Sequence, residues 1–265
     1  MKHIVCFSGG KDSTALILWA KESLTEFTAV FCDTGWEHPI TYAYVEEINQ
    51  TALGGKLITL KSAKYAGGMR ELVQIKGRVP SAKARFCTEE LKVFPMLAWL
   101  KDIEDEVTLY QGIRAEESAA RARMVKREWS DTYDAWVERP LLEWTAEMCF
   151  GKMKEHRIKP NPLYLLGAGR VGCFPCVLIN QRELRALLHS CPEIKDRVVE
   201  LEGISGTTFF PPNYIPPRFQ TGFDAKSGKS IVWAKDVFRY IESVDEDQLP
   251  LLPQRSCMSV YNLCE

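Results

Sequence analysis

The chain has 265 residues, a formal net charge of −1 and a hydrophobic fraction of 46%. That suits one full domain plus a smaller addition, with an ordinary globular core. The balanced charge excludes a global electrostatic footprint for nucleic acid, and no apolar run approaches the ~20 residues of a membrane span.

Residues 3–7 (HIVCF) predict a short buried strand. Residues 12–24 predict a helix with Ala15, Leu16, Leu18 and Trp19 among its apolar positions. Between them lies SGGKDST, Ser8 to Thr14. Gly9 and Gly10 permit positive φ and close backbone approach, and a helix N-terminus adds positive potential for an anion. Lys11 adds a full charge, and Ser8, Ser13 and Thr14 add hydroxyl donors. Asp12 would repel bare phosphate, so it is expected to face Mg²⁺. The spacing fits neither G-x-x-x-x-G-K-[ST] nor G-x-G-x-x-G.

FTAVFCDTG (27–35) predicts a second strand ending in a turn, 40–53 a helix and 56–60 a third strand. Residues 66–86 read as a Gly/Lys/Arg-rich loop with a short helix at MRELVQI. Residues 88–102 predict a helix broken or kinked at Pro95, and 107–113 a fourth strand. Alternating strands and helices imply a parallel sheet covered on both faces, which binds ligands beyond the C-terminal ends of its strands. SGGKDS, DTG and GIRAEES all fall at such ends. After residue 140 the texture changes. A helix is expected at 140–156, a Pro/Gly-punctuated stretch at 159–176, two helices over 179–203 split near Pro192, a proline-rich arm at 209–219 and a short helix at 235–243. The expected division is a nucleotide-binding α/β domain over 1–165 and a helical and loop region with a cysteine cluster over 166–265.

The nine cysteines are an odd number, and no export signal is evident. A reducing, cytoplasmic setting is expected rather than a disulfide scaffold. Cys173 and Cys176 form a C-x-x-C in a Gly/Pro turn, a device that presents two thiolates to a metal. Cys6 and Cys32 lie in apolar strands and read as core. Cys149 and Cys191 read as helix packing, and His38 as a surface rim residue. Arg114 and Arg121 suit bidentate oxyanion recognition, as do Arg85 and Lys83; the alternative is a solvated face paired with Glu116 and Glu117.

SGGKDS resembles the PP-loop of the ATP pyrophosphatases, which cleave ATP between the α and β phosphates. CDTGWEHPITYAYV (32–45) is similar to the D-T-G-x-E-x-P-x-T-x-x-Y segment of the PAPS-reductase-like branch, and GIRAEESAARA (112–122) to its G-x-R-x-x-E-S-x-x-R. The resemblance covers about residues 1–185. It implies an adenine nucleotide alpha-hydrolase-like fold: an open, mostly parallel, doubly wound sheet with a cysteine-containing C-terminal extension. It implies ATP or an adenylated sulfate as ligand, with Mg²⁺. Nucleotide binding would fall to Ser8, Gly9, Gly10, Lys11, Asp12, Ser13, Asp33, Thr34, Gly35, Arg114, Glu117, Ser118 and Arg121, and catalysis to Lys11, Asp12 and Arg114. Glu37 would shape the adenosine rim.

Iron–sulfur sulfonucleotide reductases carry a Cys-Cys pair ahead of a C-x-x-C. Here Phe86 stands at the first position of the pair, so three ligands of a [4Fe-4S] cluster carry over: Cys87, Cys173 and Cys176. Cys257 or Cys264 could be the fourth, or one iron stays open; zinc on Cys173, Cys176, Cys257 and Cys264 is the alternative. The leading functional expectation is an ATP pyrophosphatase that adenylates an acceptor for sulfur insertion. Nucleic acid is its expected acceptor, from KGRVPSAKAR and from RARMVKREW with Trp129, and a cysteine desulfurase its sulfur donor. The rival is a sulfonucleotide reductase, against which the tail reads NLCE in place of Glu-Cys-Gly-x-His. A nucleotide- or redox-sensing module docking through PPNYIPPRF is the third. Homo-oligomerisation is left open.

Overall fold

The computed structural model describes residues 1–225, 228–245 and 249. β1 (Lys2–Phe7) is apolar on both faces from Ile4 onward, so it is stable only with a layer on each side. It leads through the glycine loop into α1 (Lys11–Ser23), followed by β2 (Thr28–Cys32), α2 (Pro39–Ala52), β3 (Ile58–Leu60) and α3 (Met69–Lys76). A short α4 (Phe86–Thr88) passes through a π-helical turn over Glu89–Val93 into α5 (Phe94–Leu100) and then β4 (Val107–Tyr110). β5 (Arg127–Ser130), β6 (Ala135–Glu138) and α6 (Ala146–Glu155) come next. The C-terminal part holds α7 (Gln181–Ser190), α8 (Ile194–Ser205), β7 (Gly222–Asp224), β8 (Lys229–Ile231) and α9 (Ala234–Ser243).

The six-stranded sheet has the order β3-β2-β1-β4-β6-β5. All neighbours pair in parallel except the β5–β6 hairpin. The expected doubly wound, mostly parallel sheet is therefore present. Val5, Phe7, Ala29, Phe31 and Tyr110 face the α1/α2/α6 layer, while Ile4, Cys6, Val30, Leu109 and Val137 face α5. Period-two alternation on a strand buried on both sides produces this split. A third apolar cluster joins α3 to α7, α8 and α9 and includes Trp36, Phe86, Leu163 and Phe174. Through it the C-terminal helices pack beside the strand ends that carry the loops.

The helix expected from residue 140 begins at Ala146, where the Thr145 side chain accepts the Met148 N–H at 3.2 Å. The break or kink expected at Pro95 takes the form of the π-helical turn just before it, after which the helix runs on into α5 with helical dihedrals at Val93 and Phe94. The β5–β6 hairpin is an element that the sequence reading lacked. Its cross-strand pair Trp129 and Trp136 meets edge-on with ring centroids 5.6 Å apart.

Gly68 closes the turn after β2 against the N-terminus of α3. Its φ is +67°, and a Cβ there would lie 2.3 Å from the Thr34 carbonyl oxygen and 2.9 Å from Gly35 Cα. Gly68→Ala should lower stability by about 2–3 kcal/mol, from left-handed strain plus a backbone clash, as read by urea denaturation.

Candidate functional site

The SGGKDST loop sits at the C-terminal end of β1, as its position between strand and helix requires. Gly9 has φ +78°, and a Cβ there would press on Thr41 and Val45 at 3.0 Å. Most of the loop's hydroxyls brace the loop itself. Ser13 Oγ accepts the Ser8 N–H at 3.1 Å, and Thr14 Oγ1 donates to the Gly10 carbonyl at 2.8 Å. Both side chains are fully buried.

Asp12 is 1% exposed. Arg114 Nε donates to one of its oxygens at 2.5 Å and Lys11 Nζ to the other at 3.0 Å. The Cys149 thiol also hydrogen-bonds to it, and burial pushes that thiol strongly up. Asp12 is thus the buried counterion of Lys11 and Arg114. Arg114 also pairs with Glu116, and Arg121 with Glu117. Burial alone would lower the Arg114 pKa, but Asp12 and its acidic neighbours raise it overall. Glu117 Oε2 accepts the Arg114 N–H at 3.0 Å, and Ser118 Oγ accepts the Arg121 N–H at 3.2 Å. GIRAEES is therefore an interlocked support for the loop.

The DTGWE turn locks in the same manner. Glu37 is 3% exposed and accepts from Thr34 Oγ1 at 2.7 Å, Tyr42 OH at 2.9 Å and the Trp36 N–H at 3.2 Å. Asp33 accepts from Tyr42 OH at 2.7 Å and the Gly35 N–H at 2.8 Å and pairs with Lys61. Burial works to raise the Asp33 pKa, yet these donors hold it below its ordinary value. The turn then clasps the C-x-x-C segment. The Phe174 N–H donates to the Trp36 carbonyl at 2.8 Å, Trp36 Nε1 to the Pro175 carbonyl at 3.0 Å, and Glu37 bridges Cys173 through the backbone. From α8, Arg197 stacks on Trp36 at 4.3 Å and donates to the Trp36 carbonyl at 3.1 Å.

This clasp brings Cys173 and Cys176 to Cys87. All three line one cavity of about 40 Å³, together with Ser8, Arg85, Thr88, Lys92 and Arg170. The phosphate loop and the thiols thus share a wall at Ser8. Burial pushes Cys87 up to about 12 and raises Cys173 as well. Arg170 Nη2 donates to Cys176 Sγ at 2.7 Å. Burial, with Arg170 and Arg121 nearby, lowers the Arg85 pKa, against the pull of Cys87 and Cys176. A smaller adjoining cavity is lined by Cys6, Cys32, Val30, Met96, Ser8 and Lys92. The two cysteines read as core therefore also border the site.

Lys92, Arg170, Asn161 and Tyr164 were missed by sequence reasoning. Lys92 reaches both cavities because the π-helical turn re-aims it. Burial would lower its pKa, but Cys173, Glu37, Cys32 and Cys87 raise it further. The signal available was a lysine five residues after Cys87; for Arg170 it was an arginine three before the C-x-x-C. Nothing local marks Asn161 or Tyr164.

Among the described residues, the trio of possible ligand atoms lying within 4.8 Å of one another is His38, Cys191 and Glu193. It does not suit a metal as drawn. His38 Nδ1 accepts the Ile40 N–H at 3.0 Å, so Nε2 carries the hydrogen toward Glu193 at 2.7 Å and has no lone pair to give. Cys257 and Cys264 lie outside the described residues. Of the basic stretches, Arg85 enters the cysteine cavity, while Lys126 pairs with Glu143 and Arg127 with Glu138. No helix among the described residues is long and apolar enough to cross a membrane.

Residues 2–178 match the phosphoadenosine phosphosulfate reductase domain. An uncharacterized 37.8 kDa protein of Escherichia phage 186 is 35% identical, over 82% of this chain and 81% of its own. An adenosine 5'-phosphosulfate reductase of Allochromatium vinosum is 33% identical over 37% of this chain and 36% of its own, so the chain spans about a third of that enzyme. The crystal structure of a phosphoadenylyl-sulfate reductase from Candida auris, in a phosphate complex, shares the fold. Its TM-score is 0.54 at 17% identity, over 66% of this chain and 83% of that one. The chain belongs to the phosphoadenosine phosphosulfate reductase domain family.

Two outcomes test the geometry. Asp12→Asn removes the buried carboxylate that Lys11 and Arg114 share and should cost about 3–5 kcal/mol in denaturant unfolding. In metal-free protein, alkylation of Cys87 by iodoacetamide, followed by peptide mass spectrometry, should be slow at pH 8. It should climb with pH toward about 12, because the raised pKa keeps the thiol protonated below that value.

Proposed function

We propose that the chain binds an adenine nucleotide in the SGGKDST loop, splits ATP between the α and β phosphates, and thereby activates an acceptor oxygen for replacement by sulfur. The observation that supports this most is the shared wall at Ser8, which sets the nucleotide loop and three cysteines around one cavity. An oxygen of the acceptor attacks the α-phosphorus, the bond to the bridging oxygen breaks, and pyrophosphate leaves with the electron pair. Lys11 offsets that charge, supported by its pairing with Asp12 and by the hold of Arg114 on Asp12. The terminal sulfur of a persulfide, carried from a donor such as a cysteine desulfurase, then attacks the activated centre and displaces AMP, forming a disulfide between acceptor and donor. A thiol reductant cleaves that disulfide and leaves sulfur where oxygen stood.

The cysteines that share the cavity are read as ligands of a [4Fe-4S] cluster, in which each thiolate takes its own iron; zinc on Cys173, Cys176, Cys257 and Cys264 is the alternative. Cys87, Cys173 and Cys176 would hold it, and it would supply an electron-transfer or sulfide-binding centre. Arg170, whose Nη2 donates to Cys176 Sγ at 2.7 Å, would polarise its sulfurs.

Nucleic acid is the acceptor class we favour. Trp129 and Trp136 are exposed side by side, with the Arg127 guanidinium 4.4 Å from the Trp136 ring, an arrangement on which bases can stack. Adenylated sulfate as substrate is the second reading, favoured by the name of the Allochromatium vinosum relative.

Anaerobically purified protein incubated with Mg-ATP and an oligonucleotide should release pyrophosphate and AMP. Lys11→Ala should abolish the release. Sulfite released from adenylated sulfate with a thiol reductant, and no ATP turnover, would favour the second reading. Iron content should drop sharply in Cys87→Ser and Cys176→Ser, measured by colorimetric assay beside the visible absorption of the parent protein.

A further inference from the structure

The first N–H of α1, that of Lys11, is the donor a helix N-terminus offers to an anion in the preceding loop. In the structure its acceptor is the Tyr164 hydroxyl, at 2.9 Å. Tyr164 ends the short 3-10 turn Pro162–Tyr164, far along the chain from the loop. Asn161, which caps that turn, donates from Nδ2 to the Gly9 carbonyl at 3.2 Å. The Tyr164 ring meets Phe150 edge-on at 5.7 Å, and Lys11 Nζ lies 5.5 Å from its centroid. Gly10 leaves room for the hydroxyl: a Cβ on Gly10 would lie 3.4 Å from it and 3.3 Å from the Val171 carbonyl oxygen. A neutral oxygen from elsewhere in the chain thus stands in the cradle, on the backbone donor that a phosphate would use.

We infer that the Tyr164 hydroxyl is a built-in placeholder for a phosphate oxygen, displaced when a nucleotide or pyrophosphate enters the loop. The inference rests on the nucleotide reading of SGGKDST. An amide donor buried without a partner is costly, so the empty loop gains from a local acceptor. An anionic oxygen is a stronger acceptor than a phenol, so the exchange runs toward the ligand. The hydroxyl then competes with the phosphate for one donor, and its removal should help binding rather than harm it. A residue that contacts the ligand would behave in the opposite sense.

The test is calorimetric titration of the full chain with inorganic pyrophosphate and with α,β-methylene ATP, which cannot be split at the α–β position. Tyr164→Phe keeps the ring against Phe150 and Lys11 and removes the oxygen alone. It should tighten both ligands by roughly three- to tenfold, the worth of one hydrogen bond. Lys11→Ala should abolish binding in either background. Equal or weaker affinity in Tyr164→Phe, with normal binding by the parent protein, overturns the placeholder and leaves the nucleotide reading standing. Failure of both proteins to bind either ligand overturns the nucleotide reading and the placeholder with it. Binding by Tyr164→Phe alone supports both.

Discussion

The architecture of the site depends on one clasp, in which the DTGWE turn at the end of β2 pairs with the GCFPC segment. The Phe174 N–H to Trp36 carbonyl bond and the Trp36 indole to Pro175 carbonyl bond bind two stretches about 140 residues apart. Cys173 and Cys176 would otherwise belong to a loop with little apolar surface of its own. The clasp sets them at the C-terminal edge of a parallel sheet, where the phosphate loop also lies. Arg197, stacked on Trp36, ties α8 into the same joint. The C-terminal helices therefore act as the outer wall of the cysteine cavity.

A second constraint is the cost of buried charge. Lys11, Asp12, Arg114 and Arg121 are each less than a tenth exposed. Such groups are tolerated only when paired and hydrogen-bonded, and an apolar replacement is often as stable. Their pairing therefore points to placement rather than stability. Asp12 fixes Lys11 from below, Arg114 fixes Asp12, and Glu116 and Glu117 fix Arg114 and Arg121. GIRAEES contributes as a scaffold that sets the direction of the lysine.

Much of this was legible in the chain itself. Strand-helix alternation, glycines at the first turn and three loops at strand ends give the sheet and its ligand-binding edge. The motif resemblance placed Cys87 with Cys173 and Cys176. The illegible parts share a cause. Lys92 depends on a π-helical turn, whose extra residue changes which way a side chain points. Tyr164 acts through a partner, Lys11, brought near only by the fold. The β5–β6 hairpin was hidden because its strands are four residues long and their charges masked the alternation. The burial of Asp12, invisible in sequence, makes it the shared counterion of Lys11 and Arg114.

The sequence by itself determined the covalent inventory and the local rules. These are a glycine loop between a strand and a helix, apolar strands that must be covered on both faces, and a C-x-x-C in a Gly/Pro turn. Those follow from short-range sterics and periodicity, which act within a few residues of chain. Only the tertiary structure decided which groups face the ligand and which are consumed as support. Hydrogen-bond partners such as Lys11 with Tyr164, and Trp36 with Pro175, arise from packing between distant segments. Packing is also what turned the acidic and basic residues of the motifs into a buried lattice, since a charge removed from water must find its partner within the fold.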